Sequence, residues 1–197
     1  MRNNKKDLFI ETASKLFSLK GYHATGLNEI LKASKAPKGS LYYYFPNGKE
    51  ELALEAIRFT IHDILEQLQN RFEGFSNPCE AIVFHINFLA DLIETNQRTK
   101  YLSLCLVALE TYDSSESLRN ACDDAFQMME KFYMKRLLGF GFDQIIAEEL
   151  AVAVSTIIEG GIIMSLTHKS GEPLRKIARQ VACLLNYHQV RLRKTDS

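Results

Sequence analysis

The sequence predicts an all-helical protein of about nine helices, in which a small helix-turn-helix domain precedes a larger helical domain. Apolar residues recur at three- and four-residue spacing along most of the chain, which is the pattern of amphipathic helices. Two short helical segments joined by a tight turn lie within residues 25–49, and no strand pattern accompanies them. We therefore expect a first domain over residues 1–50 and a second over 51–197.

The first helix is predicted over about residues 5–20. Its buried stripe consists of Phe9, Ala13, Leu16 and Phe17. Gly21 follows as a residue able to end the helix in the left-handed conformation.

The second and third helices are short and enclose a turn at residues 34–37. In the second, Leu27, Ile30, Leu31 and Ser34 share one face. The third runs from about Lys38 to Phe45, with Leu41 and Phe45 on its inner face. Its outer face and flanks carry the remaining side chains, which are Lys38, Gly39, Ser40, Tyr42 and Tyr43.

This outer face suits contact with DNA. Gly39 has no side chain, so the backbone there can approach a phosphate or base. The tyrosine hydroxyl groups can donate hydrogen bonds to phosphate oxygens. The alternative is a surface helical hairpin in which the tyrosines at 42–44 simply pack. Charge favours DNA: residues 1–50 hold nine Lys or Arg and four Asp or Glu, so their net charge is +5 while the rest carries −5.

The run Gly39-Ser40-Leu41-Tyr42-Tyr43-Tyr44-Phe45-Pro46-Asn47-Gly48-Lys49, with Thr25-Gly26 opening the motif, resembles the DNA-binding region of TetR/AcrR-family transcriptional regulators. The resemblance covers about the first sixty residues. It implies that Lys38, Gly39, Ser40, Tyr42 and Tyr43 read the major groove or its flanking phosphates, and that Thr25, Gly26 and Lys49 hold the DNA backbone. The form Phe-Pro-x-Gly-Lys is similar to a branch associated with drug and flavonoid response. Lys35 departs from the family pattern, which has glycine in this turn.

Asn47 and Glu50 have the spacing of an N-cap and its N3 partner, so a fourth helix is predicted to start here and run to about Phe72. Lys49 in its first turn is a predicted phosphate contact, and Thr25 a predicted N-cap or phosphate donor. Later helices are predicted over about 79–95, 98–111, 116–138, 144–168 and 173–190, with Asp143 as a cap and residues 191–197 frayed. Gly160 and Gly161 predict a close approach by another helix.

The last two helices carry more apolar surface than a small body covers. The resemblance implies that they form a homodimer through a four-helix bundle (about 144–168 and 173–190), which presents two recognition helices to a palindromic operator in double-stranded DNA. It also implies a pocket for a small hydrophobic effector, for which the candidate lining is Phe84, Phe88, Tyr101, Cys105, Met128, Phe132 and Ile158. Ordinary core packing is the alternative for each of these residues.

Other function classes find little support. The four cysteines form no CxxC pair and the five histidines no ligand pattern, so we expect reduced thiols, no metal and no cofactor. Nucleophile, phosphate-loop and dinucleotide motifs are lacking, so we expect no enzyme. The longest apolar run, residues 150–158, is short for a membrane span, and no signal peptide opens the chain, so a cytoplasmic protein is expected. The rival function is a helical ligand-binding or adaptor protein without DNA binding.

Overall fold

The structure is a computed structural model that describes residues 4–95 and 104–195. All regular structure in these residues is helical, as predicted. The helices are α1 (Asn4–Lys20), α2 (Leu27–Ser34), α3 (Lys38–Tyr44), α4 (Lys49–Phe72), α5 (Pro78–Glu94), α6 (Leu104–Thr111), α7 (Glu116–Gly139), α8 (Gln144–His168) and α9 (Glu172–Thr195).

Most predicted boundaries agree with these bounds to within a residue or two. Gly21 has a φ of +83°, as expected after α1, and the Asp143 side chain accepts from the Ile145 N–H at the start of α8. The C-terminal boundary was wrong, since α9 continues to Thr195 instead of fraying after residue 190. Its last turns consist mainly of Arg, Leu and Lys, which are good helix formers. The predicted start of the sixth helix at residue 98 lies outside the described residues.

The predicted cap of α4 is wrong by one residue. The helix begins at Lys49, directly after Gly48, whose φ is +73°. Glu51 Oε2, not Glu50, accepts from the Asn47 N–H at 2.9 Å. Glu50 instead accepts hydrogen bonds from the hydroxyls of Ser117 and Ser115, and both bonds lower the pKa of this carboxyl.

The chain divides into two compact units, residues 1–64 with 98–125 and residues 65–97 with 126–197. Both α4 and α7 contribute residues to each unit. The boundary predicted from the sequence at residue 50 separates two functional domains, and it stays a prediction. The compact units differ from it because residues 51–64 and the described part of 98–125 cluster with the N-terminal helices.

The first unit is built around α1, which packs against α2, α3 and α6. Phe9 of α1 meets Phe45 edge to face, with ring centroids 6.3 Å apart. Ile30 of α2 and Leu41 of α3 are fully buried. Burial of these side chains fixes which faces of the two short helices point outward.

The second unit is built around α9, which packs against α5 and α8. A Cβ atom added to Gly161 of α8 would lie 2.7 Å from Ile177 Cδ1 and 2.8 Å from Leu174 Cδ2, whereas one added to Gly160 would meet nothing within 4 Å. The predicted close approach is therefore confirmed for Gly161 alone. By length and composition α8 could cross a membrane, with a mean hydropathy of 1.8. Of its apolar stretch 44% is buried, in a stripe that includes Leu150, Val154 and Ile158.

Candidate nucleic-acid interface

The α2–α3 pair has the geometry of a helix-turn-helix. Gly26 is the residue before α2, with extended φ and ψ of −92° and 151°. Lys35 closes α2 in the left-handed conformation, with a φ of 52°, and its N–H donates to the Lys32 carbonyl. The residue that departs from the family pattern thus adopts the glycine-like conformation itself, at the cost that this region imposes on a side chain.

Helix α3 presents an exposed aromatic face. Tyr43 is 80% exposed and Tyr42 45% exposed, while Leu41 is fully buried on the opposite side. Tyr44 is half-buried, with its ring centroid 5.0 Å from that of Tyr43. A Cβ added to Gly39 would meet no atom of the protein within 4 Å, so the space in front of this residue is open to a partner. Lys38, Gly39, Tyr42 and Tyr43 are all exposed on α3, and their contact with DNA stays a prediction.

Ser40 differs from its neighbours. Its hydroxyl donates to the Pro37 carbonyl at 2.6 Å and closes the first turn of α3. In this rotamer the proton is not available to a phosphate oxygen. The Ser40 oxygen can still accept a hydrogen bond, for example from a base amino group.

Sequence reasoning missed two cations of this surface. Lys32, Lys35 and Lys38 are all exposed, and none of the three has an ion pair with a carboxylate in the described part of the chain. By contrast, Lys20 is paired with Glu29. The three lysines at positions 32, 35 and 38 of the helix-turn-helix were the available signal.

Thr25 requires a correction. Its side chain is fully buried, and its hydroxyl donates to the Gly21 carbonyl at 2.8 Å and to the Leu16 carbonyl at 3.3 Å. Gly26, not Thr25, occupies the N-cap position of α2. Thr25 therefore ties the end of α1 to the start of α2, and its hydroxyl is no phosphate donor. Gly26 itself is exposed.

Lys49 is held against the protein. Its ammonium lies 4.2 Å from the centroid of the Tyr22 ring, and burial lowers the pKa of Lys49 while the Glu110 carboxylate acts in the opposite direction. The Glu110 carboxylate also accepts from the His23 N–H at 2.9 Å. A contact between Lys49 and DNA requires the ammonium to leave the Tyr22 ring, and this contact stays a prediction.

Comparison with known proteins decides the family. Residues 9–56 match the family described as bacterial regulatory proteins, tetR family. Residues 78–180 match the C-terminal domain of LmrA/YxaF-like transcriptional regulators. The chain belongs to the TetR family.

Similar proteins extend this assignment over the whole chain. The HTH-type transcriptional regulator YxaF of Bacillus subtilis is 42% identical over 184 residues, which cover 93% of this chain and 96% of that protein. The regulator LmrA of the same organism is 37% identical over 182 residues, or 92% and 97% of the two chains. This TetR-family member is therefore a DNA-binding transcriptional regulator.

Solved structures share the fold. Reduced NemR of E. coli superposes with a TM-score of 0.81 at 19% identity, covering 91% of this chain and 95% of that chain. A cysteine mutant of the TetR-family regulator CifR, in complex with 26 bp of double-strand operator DNA, gives a TM-score of 0.75 at 19% identity and covers 89% and 94%. At this identity the likeness concerns the fold.

The predicted effector residues are not all in one place. Phe84, Phe88, Met128, Phe132 and Ile158 belong to the second unit, whereas Cys105 belongs to the first and Tyr101 lies outside the described residues. Ile158 is buried, Met128 is half-buried, and Phe84 is 47% exposed. Two clefts of the second unit, of about 230 and 280 Å³, are lined by none of these seven residues. The predicted pocket therefore stays a prediction.

A polar cluster in the second unit was missed by sequence reasoning. The Arg71 guanidinium stacks on Phe88, 4.2 Å from the ring centroid, and one of its nitrogens lies 3.2 Å from His85 Nδ1. Burial and the Arg71 charge lower the pKa of His85 to about 3, so this ring is neutral and its Nδ1 accepts from Arg71. No sequence pattern singles out a lone histidine on an apolar stripe.

Tyr133 adds an unsatisfied group to the same unit. Its side chain is fully buried between helices, and its hydroxyl has no hydrogen-bond partner in the described residues. Burial raises the pKa of Tyr133, and the Glu159 carboxylate raises it further while Arg71 opposes. Phe132, a predicted effector residue, contacts Tyr133 at a ring separation of 5.7 Å.

The cysteines and acids show no metal centre in the described part of the chain, where no group of three or more metal-binding side chains occurs. None of the four cysteines, all of which lie in the described residues, is in a disulfide. Cys79 and Cys122 are buried, which raises the pKa of each thiol to about 11, and Cys183 is exposed.

Proposed function

We propose that this regulator is a cytoplasmic homodimeric repressor that a small apolar effector releases from a palindromic operator. The observation that carries the proposal is the exposed face of α3, where Tyr43 and Tyr42 stand beside Lys38 and leave their hydroxyls open to a partner. The second helix of a helix-turn-helix enters the major groove with its N-terminal residues against the bases. The residues proposed to contact DNA are Gly26, Lys32, Lys35, Lys38, Gly39, Ser40, Tyr42 and Tyr43.

Dimer formation is supported by apolar side chains that α8 and α9 leave exposed. Val152, Ile163 and Met164 of α8 are between 45% and 51% exposed, and Tyr187 of α9 is 58% exposed. The apolar cleft of about 280 Å³ between the end of α8 and the start of α9 continues this surface at Met164 and Ile177. A two-fold contact through both helices covers these groups and gives the regulator two copies of α3 for a palindromic operator.

Effector binding is supported by the Tyr133 hydroxyl. A buried hydroxyl without a partner costs free energy that a bound hydrogen-bonding group restores. The Phe132 ring, which contacts Tyr133, and the Phe88 ring, which contacts Arg71, suit an apolar molecule that carries one such group. We place the effector against Tyr133, with Arg71 and Glu159 as the charged groups of the site.

The test is selection of the full chain against random duplex DNA, followed by a salt titration on the enriched sequence. We expect a palindromic sequence. We also expect a slope of log K against log salt of roughly −5, because each of the two helix-turn-helix motifs of a dimer contributes Lys32, Lys35 and Lys38. Tyr43→Ala should weaken binding at least about tenfold, as removal of one good base or phosphate contact does. Tyr112→Ala, which truncates a tyrosine 66% exposed outside the helix-turn-helix, is the matched control.

An enriched sequence without two-fold symmetry would contradict the dimeric arrangement. Equal weakening of affinity in Tyr43→Ala and Tyr112→Ala would remove α3 from the interface. No enriched sequence, with or without a library of apolar effectors, would favour the rival function of a ligand-binding protein without DNA binding.

A further inference from the structure

A surface cleft, which we call the α4–α5–α7 cleft, is lined by Phe72, Phe75, Pro78, Lys135, Arg136, Gly139 and Phe140. The cleft measures about 230 Å³ and lies entirely within the second compact unit. Its residues include neither Tyr133 nor any predicted effector residue.

Three aromatic rings line this cleft, and each of them packs against another aromatic ring. Phe72 is 3% exposed and packs edge to face on Phe132, at 5.1 Å between centroids. Phe75 packs on Phe84 at 5.2 Å, and Phe140 contacts Phe142 at 6.3 Å. The walls are therefore set by the fold before any ligand arrives, which reduces the ordering cost of binding.

Arg136 supplies a fixed positive charge to this cleft. Its guanidinium lies 5.3 Å from the Phe132 centroid and 5.9 Å from the Phe72 centroid, and Nη2 donates to Gln69 Oε1 at 2.6 Å. The adjacent Lys135 brings a second cation. Neither has an ion pair with a carboxylate in the residues that the structure describes. A half-buried guanidinium with unused N–H groups matches the planar fork of a carboxylate.

We propose that the α4–α5–α7 cleft binds a small aromatic carboxylate, with the ring between Phe72, Phe75 and Phe140 and the carboxylate on Arg136 and Lys135. Size agrees with this class, because an apolar cavity of about 150 Å³ holds benzene. The remaining volume accommodates the carboxyl group. The aromatic walls favour an organic acid over inorganic phosphate, which offers no apolar surface to them.

Calorimetric titration of the full chain tests this site with four probes, which are benzoate, 3-phenylpropanoate, neutral benzamide and inorganic phosphate. We expect the two carboxylates to bind and benzamide to bind at least about tenfold more weakly, as the absence of a charge-assisted hydrogen bond predicts. Arg136→Gln should weaken benzoate by a similar factor. Lys131→Gln, an exposed lysine of α7 outside the cleft, should change the affinity by less than about twofold.

Gly139→Leu provides a second variant that keeps both cations. Gly139 does not have a positive φ, and a Cβ there meets nothing within 4 Å, so leucine is accommodated by the backbone and fills the lip of the cleft. We expect it to abolish benzoate binding.

Several outcomes would overturn the proposal. If benzoate does not bind at concentrations up to about 10 mM, the cleft is not a binding site for aromatic carboxylates. Equal affinities for benzoate and benzamide would exclude charge recognition, and equal affinities for benzoate and phosphate would reduce the cleft to a cationic patch. Unchanged binding in both Arg136→Gln and Gly139→Leu would place the ligand elsewhere.

Discussion

The neighbouring glycines of α8 allow one perturbation to be compared with an almost identical control. Gly160→Ala adds a methyl group to open space, and Gly161→Ala adds the same methyl group 2.7 Å from Ile177 Cδ1 and 2.8 Å from Leu174 Cδ2. Both substitutions replace glycine by alanine within one helix, so both gain about 1 kcal/mol of helix propensity. Their difference therefore isolates the cost of packing against α9.

Overpacking of a well-filled contact costs about 1–3 kcal/mol. The atoms that the new methyl group displaces at Gly161 are the ends of flexible side chains, so the lower half of this range applies. Gly160→Ala is expected to raise the free energy of unfolding by up to about 1 kcal/mol. Gly161→Ala is expected to leave it unchanged or lower it by up to about 1 kcal/mol, once propensity is included.

Urea unfolding followed by far-UV circular dichroism measures both changes. All variants must be compared at one protein concentration, and again at about tenfold higher concentration, because dimer formation adds to apparent stability by mass action. Equal stabilisation by the two alanines would show that α9 does not approach Gly161 as the structure has it. Destabilisation confined to Gly160→Ala would instead indicate that Gly160 packs against another copy of the chain.

Three further substitutions test the interior and the DNA-binding surface. His85 has a pKa of about 3 in the folded chain and 6.5 as its ordinary value, so the unfolded chain binds the extra proton between these values and stability falls as pH drops below 6.5. The free energy of unfolding should decrease by about 2 kcal/mol from pH 7.5 to 5. In His85→Asn this decrease should be absent from urea midpoints measured across the same pH range. An identical pH profile in the variant would contradict the assignment to His85. Lys35→Gly should stabilise the protein by about 0.5–1 kcal/mol, because glycine tolerates the φ of 52°. The same change removes one cation from each helix-turn-helix of the dimer. The slope of log K against log salt for operator binding should therefore become shallower by about one per phosphate that Lys35 neutralises. An unchanged slope would show that Lys35 does not contact DNA. Tyr133→Phe should raise stability by about 1 kcal/mol by removing an unsatisfied hydroxyl and should weaken effector release; a thermal melt that shows destabilisation would mean that the hydroxyl is bonded.

The candidate DNA-binding surface was largely predictable from sequence, since its residues lie within one short helix and the preceding turn. Leu41 and Phe45 identify the inner face of α3, and a rotation of 100° per residue then places Tyr42 and Tyr43 outward. The effector residues were less predictable because they come from helices far apart in the chain. Phe132 proves to contact Tyr133, but Cys105 belongs to the other compact unit. A set of apolar and aromatic residues does not tell a ligand wall from ordinary core packing.

The sequence by itself determined the features that depend on neighbours a few residues away. These are the helical class, nearly all helix bounds, the Asp143 cap, the left-handed Gly21 and the composition of the exposed α3 surface, because periodicity, capping and propensity act within one or two turns.

Only the tertiary structure decided which of two neighbouring residues in the sequence makes a given contact. It turned Thr25 inward, gave the Asn47 N–H to Glu51 instead of Glu50, and set Gly161 rather than Gly160 against α9. It also brought Arg71, His85 and Tyr133 into one interior. Neighbours on a helix point about 100° apart, so the choice between them rests with whichever surface packs against that helix.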